Sequence, residues 1–228
     1  MKKIPKIFVP SAGPGDWKAL LADPELHWAR GRSARSLAHC WEDDDGFPPE
    51  IKIALSKVNL LADVEPILIF PEWKVPLPGG CTASQNDVWV LGHGSAGLVS
   101  IAIEGKVEES FDKTLGKWIE NASLGKRDRL DYLNNCLGLS TDPPDHIYYQ
   151  LMHRTASAVI EAKRFGAETA VMLIHSFSPK DQWFDEFAEF CELFGIPASV
   201  GVIGKTTCID GMPLFLGWVH GDERFLNA

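Results

Sequence analysis

Residues 87–106 read DVWVLGHGSAGLVSIAIEGK, two runs of alternating and β-branched residues around a glycine-rich centre. Such runs are typical of strands, and a turn over residues 94–97 is a common hairpin length. With that turn, His93 lies opposite Leu98, and the register of the whole pair follows from it. One face of the hairpin is then purely aliphatic, which indicates that it belongs to the core.

Charged side chains gather at the open end of this hairpin. The register places Asp87 opposite Glu104, and Lys106 points to the same side because strand side chains alternate between faces. Two opposed carboxylates repel unless a cation lies between them, and hard oxygen ligands suit Mg²⁺. The pattern indicates a metal-dependent phosphodiesterase site. The alternative is an exposed hairpin end with a weak, solvated ion pair, since an acid two residues before a lysine occurs five times in the chain.

The composition allows a large core and argues against one class of partner. The chain has 228 residues, of which 45% are hydrophobic, enough for one large domain or two small ones. Its net charge is −9, whereas a protein that binds nucleic acid over a wide surface is expected to be basic. A localised site whose acids are neutralised by a metal ion is compatible with this charge.

The cysteines and the termini indicate a cytoplasmic protein. The five cysteines are far apart and form no Cys-x-x-Cys pair, which argues against a disulfide framework and against a zinc module. Residues 1–6 are basic, but no apolar stretch follows them, so no signal peptide is expected. No apolar run approaches the roughly 18 residues of a membrane span.

The order of predicted elements indicates a mixed α/β fold around one sheet. Helices are expected over residues 16–22, 33–42, 50–58, 110–119, 146–165 and 179–194. Strands are expected over residues 66–70, 87–92, 98–107, 169–174, 198–203 and 213–219. The polar stretch 125–145 carries no expected helix. We expect a single domain over 1–228, with an N-terminal extension (1–48), a core (50–175) and a C-terminal part (176–228).

The glycine-rich segment 92–97 matches a dinucleotide-binding motif in its sequence but lacks the structural context of one. Residues 92–97 match the G-x-G-x-x-G pattern of dinucleotide-binding sites. That site requires a helix after the glycines, whose N-terminus receives the pyrophosphate. The residues that follow here, LVSIAI, are typical of a strand, so the glycines are better explained as turn residues of the hairpin.

These features together resemble the PD-(D/E)XK nuclease superfamily. Its core is a helix, a three-strand meander, a helix and a further strand, with an acid opening the second strand and Glu-x-Lys on the third. The corresponding parts lie within residues 50–175, and Asn86 stands where the superfamily motif has proline. The resemblance, which extends to bacterial families that carry this motif, implies a restriction-endonuclease-like core: a central mixed sheet flanked by helices.

The resemblance also implies roles for residues of the hairpin. Asp87 and Glu104, with the carbonyl of Gly105, would hold Mg²⁺ or Mn²⁺, which polarises the phosphate and lowers the pKa of a bound water. Lys106 would orient that water or counter the charge that develops on the phosphate. Glycine at position 105 would let the backbone approach the metal closely.

Two residues outside the hairpin correspond to superfamily positions: Glu50 to an acid on the first helix, and Gln150 to a glutamine on a later helix. The implied function is a metal-dependent nuclease that cuts DNA or RNA, with no membrane partner. A homodimer is expected, because an acidic monomer of this size offers little grip on a duplex. The superfamily also contains members that have lost activity, so the alternative is a catalytically inactive binding or assembly module of the same fold.

Overall fold

The computed structural model describes residues 7, 11–44, 46–206 and 208–228. The expectation drawn from residues 1–6 lies outside this part of the chain. Within the described part, no helix combines the length and the apolar character that crossing a membrane requires.

The described residues form groups of consecutive helices and groups of consecutive strands. The α-helices there are α1 (Pro24–His27), α2 (Ser33–Asp43), α3 (Pro49–Ser56), α4 (Leu115–Ile119), α5 (Leu124–Leu137), α6 (Tyr149–Phe165) and α7 (Phe184–Glu192). The strands are β1 (Glu65–Val75), β2 (Ser84–Gly94), β3 (Gly97–Lys106), β4 (Thr169–Ser176), β5 (Ile203–Lys205) and β6 (Leu214–His220). Two 3₁₀ helices, Pro14–Leu20 and Glu223–Asn227, lie before and after them.

The strands form one mixed sheet in the order β1-β2-β3-β4-β6-β5. Strands β1 to β3 are an antiparallel meander, β4 is parallel to β3, and β6 is parallel to β4. Strand β5 completes the far edge antiparallel to β6. A parallel connection needs a crossover of a dozen or more residues, and α4, α5 and α6 make up the one between β3 and β4. The mixed α/β fold predicted from the sequence is confirmed.

The central hairpin, β2 and β3, has the register that its sequence predicts. His93 pairs with Leu98, and the ladder continues from there to the end at which the two acids lie. The turn is tighter than expected, because Gly94 pairs with Gly97 and only residues 95–96 remain in it. The φ angle of Gly97 is +105°, a conformation that favours glycine.

Both faces of the sheet are buried. Val88 and Ile103 belong to the core beneath α2 and α3, which we call the α3 face. Ala102 belongs to the core beneath α4 to α7, which we call the α6 face. Trp89 is fully buried on that face, and its indole N–H donates to the Ser100 hydroxyl at 2.9 Å. The polar side of the hairpin is therefore covered by a helix instead of facing solvent.

Helix α5 lies within the stretch for which the sequence analysis expected no helix. Its apolar stripe is buried against the α6 face and consists of Leu130, Leu133, Cys136 and Leu137. The Ser123 hydroxyl caps its N-terminus, and Gly138 ends it in a left-handed conformation. The capping residues were readable in the sequence, but the many polar residues between them hid the stripe.

Three other elements are shorter than expected. Helix α4 covers only the end of the predicted helix 110–119, and α7 begins at Phe184 because Asp181 and Trp183 adopt left-handed conformations. Residues 198–202 are irregular apart from a bridge between Val200 and Trp218, and only Ile203 of the predicted strand belongs to β5. The residues at which these helices and strands begin and end depend on local backbone turns, which cannot be predicted from hydrophobic periodicity.

Candidate active site

The open end of the central hairpin lies beneath the first turns of α6. This helix packs on β2, β3 and β4. Its residues Gln150 and Arg154 are four positions apart, so they lie on the same side of the helix. Both contact the charged end of β3.

Glu104 is held between two cations in a buried cluster. Its Oε1 accepts a hydrogen bond from Lys106 Nζ at 2.8 Å, and its Oε2 accepts one from Arg154 Nε at 2.5 Å. The exposed fractions of the side chains are 4% for Glu104 and Lys106 and 9% for Arg154. Burial alone would raise the pKa of Glu104, but the charges of Arg154 and Lys106 outweigh burial and lower it. Glu104 is therefore a carboxylate at neutral pH.

Asp87 is a neighbour of this cluster. Its Oδ2 accepts a hydrogen bond from the backbone N–H of Gly105 at 2.7 Å. Burial, followed by the negative charges of Glu104 and Glu72, raises the pKa of Asp87 well above its usual range. A Cβ on Gly105 would lie 3.3 Å from that Oδ2 atom, so glycine lets the backbone approach the carboxylate.

Glu72 is a third acid that the sequence analysis did not assign to the site. It lies on β1 with φ +53°, which is an uncommon conformation for a residue other than glycine. Its Oε2 accepts a hydrogen bond from Gln85 Nε2 at 2.7 Å. The pKa of Glu72 is raised to about 7, mainly by burial and in part by the charge of Glu104.

Lys106 has a second partner besides Glu104. Its Nζ donates to Gln150 Oε1 at 3.1 Å and lies 4.8 Å from the centroid of the Phe111 ring. A cation over an aromatic face is stabilised by the ring quadrupole. The ammonium group is therefore held at a fixed position, and Gln150, which the resemblance had singled out, is one of the residues that hold it.

These side chains line an open cleft of about 560 Å³. We call this cleft the acidic pocket. The residues described above that line it are Glu72, Asp87, Glu104, Lys106, Gln150 and Arg154, and the pocket is also lined by Arg32, Gln85, Glu109 and Asp112. Five carboxylates line the pocket with three cations, Arg32, Lys106 and Arg154. The pKa values of two of the acids, Glu72 and Asp87, are raised. The raised pKa values mean that these two carboxyl groups hold protons more tightly than free acids do, and a bound cation would displace those protons.

The donor atoms of the acidic pocket fit a divalent cation. Carboxylate and carbonyl oxygens are the ligands that Mg²⁺ and Mn²⁺ prefer. Each carboxylate oxygen that accepts one hydrogen bond keeps a second lone pair. Asp87, Glu104 and the Gly105 carbonyl are the residues that would hold such an ion, and an added positive charge would relieve the repulsion that raises the pKa of Asp87.

Glu50 does not lie in the acidic pocket. Helix α3, which carries it, packs on the opposite face of the sheet from Glu104. Its Oε1 lies 2.9 Å from His175 Nε2 and 3.6 Å from Cys40 Sγ. The structure therefore does not bring Glu50 together with Asp87 and Glu104, although the resemblance had matched it to an acid on the first helix of the superfamily core.

The surroundings of Glu50 form a chain of hydrogen bonds. The Trp41 indole N–H lies 3.3 Å from His175 Nδ1. Because an indole nitrogen can only donate, Nδ1 accepts, and a neutral His175 carries its proton on Nε2 and donates it to Glu50. Burial opposes ionisation of Glu50, but its hydrogen bond to His175 and its electrostatic interaction with that residue, with a smaller contribution from Cys40, prevail and lower its pKa. Burial, with the nearby charge of Glu50, raises the pKa of Cys40, which stays a thiol.

The same three residues could in principle hold a metal ion. One ligand atom from each of Cys40, Glu50 and His175 lies within 4.8 Å of the other two. A metal on His175 Nε2 would move the imidazole proton to Nδ1, where it would meet the N–H of Trp41. Two donors would then face each other in the core, at a cost of about 1–3 kcal/mol for the unsatisfied group. The trio is therefore better explained as a hydrogen-bonded part of the core.

Sequence reasoning missed Arg154 and Glu72. Arg154 lies in the middle of an amphipathic helix, where an arginine is usually exposed, although its spacing of four from Gln150 was visible. Glu72 follows Pro71, and a proline cannot donate to a strand ladder and is typical of a sheet edge, so nothing in the sequence indicates that Glu72 lies beside the cluster. Its burial results from a backbone turn that the sequence does not reveal.

The fold and the cleft define a mixed α/β protein with a buried acid and lysine cluster at the end of its central hairpin. A family model described as a domain of unknown function, DUF6946, matches residues 10–223, so the chain belongs to that family. Neither a curated protein nor a solved structure matches the chain.

Proposed function

We propose that this protein is a metal-dependent phosphodiesterase that cleaves DNA or RNA at the acidic pocket. The observation that carries the proposal is the cluster of Asp87, Glu104 and Lys106 at one end of β2 and β3, with Asp87 and its raised pKa beside the ion-paired Glu104. Carboxylates that repel each other in a partly buried cleft are a common basis of cation binding. The resemblance of this arrangement to the PD-(D/E)XK motif supports the same reading.

Each residue of the cluster has a role that its contacts support. A bound Mg²⁺ or Mn²⁺ would polarise the phosphate and lower the pKa of a water molecule. Lys106, fixed between Glu104 and Gln150, supplies a positive charge close to the phosphate as negative charge develops on it. Arg154 keeps Glu104 ionised, and the Gly105 N–H orients the carboxylate of Asp87.

A second candidate is a catalytically inactive binding or assembly module of the same fold. It is favoured by the contacts of Glu104, since both of its oxygens already accept hydrogen bonds from cations. Arg154 could then take the place that a metal ion occupies in an active enzyme. The two candidates differ in one requirement, which is the binding of Mg²⁺ or Mn²⁺.

Cleavage assays test the first candidate. A panel of single- and double-stranded DNA and RNA is incubated with Mg²⁺ or Mn²⁺ and with either the wild-type protein or Lys106→Ala. We expect cleavage by the wild type, none in EDTA, and a rate reduced by about 10² or more in the variant, which is typical for the loss of a charge that stabilises the transition state.

Lys117→Ala is the control in this assay, because Lys117 is an exposed lysine on α4 that does not line the acidic pocket. It should cleave like the wild type. Full activity of a folded Lys106→Ala protein would overturn the role of Lys106, and the absence of cleavage on every substrate would favour the inactive module.

A further inference from the structure

The cleft continues beyond the acidic pocket into a second cavity of about 620 Å³. We call it the basic pocket, and the residues used in the argument below are Lys113, Lys126, Arg129, Tyr149, His153 and Arg154. The two pockets share part of their walls, including Gln150 and Arg154. A ligand that lies in one pocket can therefore extend into the other.

Cations dominate the basic pocket. Lys113, Lys126, Arg129 and Arg154 line it, whereas its one acid, at the junction with the acidic pocket, is Asp112. Burial, helped by the charges of Arg154 and Arg129, lowers the pKa of His153 well below its usual range, so this imidazole is neutral. An anion that enters the pocket thus meets a surplus of positive charge in a protein whose overall charge is negative.

Three of the four cations of the basic pocket, Lys126, Arg129 and Arg154, are held in place by contacts with the fold. Arg129 is 7% exposed, and its Nε donates to the carbonyl oxygen of Pro78 at 2.7 Å. Lys126 Nζ donates to the carbonyl oxygen of Trp118 at 2.5 Å and lies 5.2 Å from the centroid of the Trp118 ring. A guanidinium has five N–H donors, so Arg129 retains donors for a ligand. Groups fixed in this way lose little conformational entropy when a ligand binds.

Tyr149 supplies an independent observation. Its ring stacks on Trp118 with centroids 3.9 Å apart and an angle of 10° between the planes. Its hydroxyl is buried, and its O–H has no acceptor among the described residues. Burial raises the pKa of Tyr149, while the neighbouring Arg129, which can only donate to the phenol oxygen, opposes that rise through a hydrogen bond and its charge. A buried O–H without an acceptor costs about 1–3 kcal/mol, and an acceptor from a ligand in this pocket would satisfy it.

We propose that the basic pocket binds a phosphate group of the nucleic acid, adjacent to the phosphodiester that lies in the acidic pocket. Phosphate oxygens accept hydrogen bonds from guanidinium, ammonium and phenol groups, all of which the pocket presents. The size of the cavity suits a small ligand or one nucleotide unit. The identity of the ligand as nucleic acid rests on the proposed function, but the binding of phosphate requires no metal.

Binding is measured in EDTA by the fluorescence anisotropy of a labelled single-stranded DNA oligonucleotide, with inorganic phosphate and a mononucleotide as competitors. Tyr149→Phe removes the hydroxyl alone, and a Lys113→Ala, Lys126→Ala double variant removes two cations. We expect the Kd to rise about threefold to tenfold in the first and tenfold or more in the second. Lys117→Ala, which changes an exposed lysine outside the pocket, should bind like the wild type.

The competitors identify the source of the phosphate. Displacement of the oligonucleotide by inorganic phosphate and by the mononucleotide supports a phosphate site, and a mononucleotide that binds far more tightly than the oligonucleotide would assign the pocket to free nucleotides. The inference would be overturned if Lys117→Ala lost as much affinity for the oligonucleotide as the double variant does. It would also be overturned if both pocket variants bound the oligonucleotide like the wild type.

Folding does not limit this test, because Tyr149→Phe keeps the ring that stacks on Trp118 and removes a hydroxyl whose O–H has no acceptor among the described residues. The variant should melt close to the wild-type temperature. Binding in EDTA without cleavage in metal would support the basic pocket and count against the proposed function. If the wild type cleaves nucleic acid and the pocket variants cleave it equally well, the proposed function is supported and the phosphate site in the basic pocket is not.

Discussion

Glu104 shows how single side chains define this cleft. It accepts hydrogen bonds from both Lys106 and Arg154, so the loss of one cation still leaves the buried carboxylate paired. Breaking a buried ion pair completely costs about 3–5 kcal/mol, and the second partner should keep the cost of Lys106→Ala well below that range. We therefore expect this variant to fold, which makes its cleavage rate interpretable.

The raised pKa of Glu72 leads to a prediction about pH. An acid whose pKa rises from 4.5 to about 7 on folding binds its proton more tightly in the folded state. Its contribution to stability is complete below pH 4.5 and is lost as the pH rises through about 7. Glu72→Gln, which resembles the protonated form, should therefore gain on the order of 3 kcal/mol relative to the wild type between pH 5 and pH 8.

Urea unfolding of the two proteins at several pH values measures this difference. Glu25→Gln, at an exposed side chain, is the matched control and should follow the wild-type curve. Parallel pH profiles for the wild type and Glu72→Gln would show that Glu72 titrates normally in the folded protein.

Glu50→Ala should lower stability, whereas Glu72→Gln should raise it. The reason is that the contacts of Glu50 lie in the core on the α3 face. Glu50→Ala leaves the Nε2–H of His175 buried without an acceptor, so we expect a loss of about 1–3 kcal/mol in the free energy of unfolding. The cleavage rate of the folded variant should equal that of the wild type. An inactive variant of normal stability would place Glu50 in the reaction after all.

At the scale of elements, two glycines determine how α5 meets the loop before β2. A Cβ on Gly125, near the start of α5, would lie 2.5 Å from the carbonyl oxygen of Gly79. Alanine in place of glycine normally stabilises a helix by up to about 1 kcal/mol, but here the backbone contact prevails and the helix has to shift. We expect Gly125→Ala to destabilise the protein by about 1–3 kcal/mol.

Thermal or urea denaturation checks this prediction against Gly15→Ala. Gly15 lies in a 3₁₀ helix, and an added Cβ there meets no atom within 4 Å. That control should be neutral or slightly stabilising. If Gly125→Ala were as stable as Gly15→Ala, the space between α5 and the loop at Gly79 would accommodate a Cβ, and the prediction would be wrong.

The hairpin was predictable because its information is local. Alternation of side chains and the glycines at 94 and 97 determine the register, and the register alone places Asp87 near Glu104. Helix α5 was not predicted because its apolar residues are separated by polar ones that face solvent. Arg154 could not be assigned to the site, since its burial depends on where α6 crosses the sheet, a property of tertiary packing.

At the scale of the molecule, the distribution of charge matters more than its sum. The net charge of −9 argued against binding of nucleic acid over a wide surface, but a total does not show where the cations lie. Lys113, Lys126, Arg129 and Arg154 are spread over 42 positions of the sequence, and the fold collects them around one cavity. The acidic surface elsewhere would keep any contact with nucleic acid confined to the cleft.

The proposed metal site is tested most directly by calorimetric titration of Mn²⁺ into the wild type, Asp87→Asn and Asp128→Asn near neutral pH. Asparagine can still accept the Gly105 hydrogen bond but lacks the charge, and Asp128 is an exposed residue of α5 outside the cleft. We predict that the wild type and Asp128→Asn bind Mn²⁺ saturably and release protons as they do so, because the pKa of Asp87 is raised. We predict that Asp87→Asn does not bind Mn²⁺. Equal binding by Asp87→Asn, or no binding by the wild type, would contradict a metal-dependent active site at the end of the hairpin.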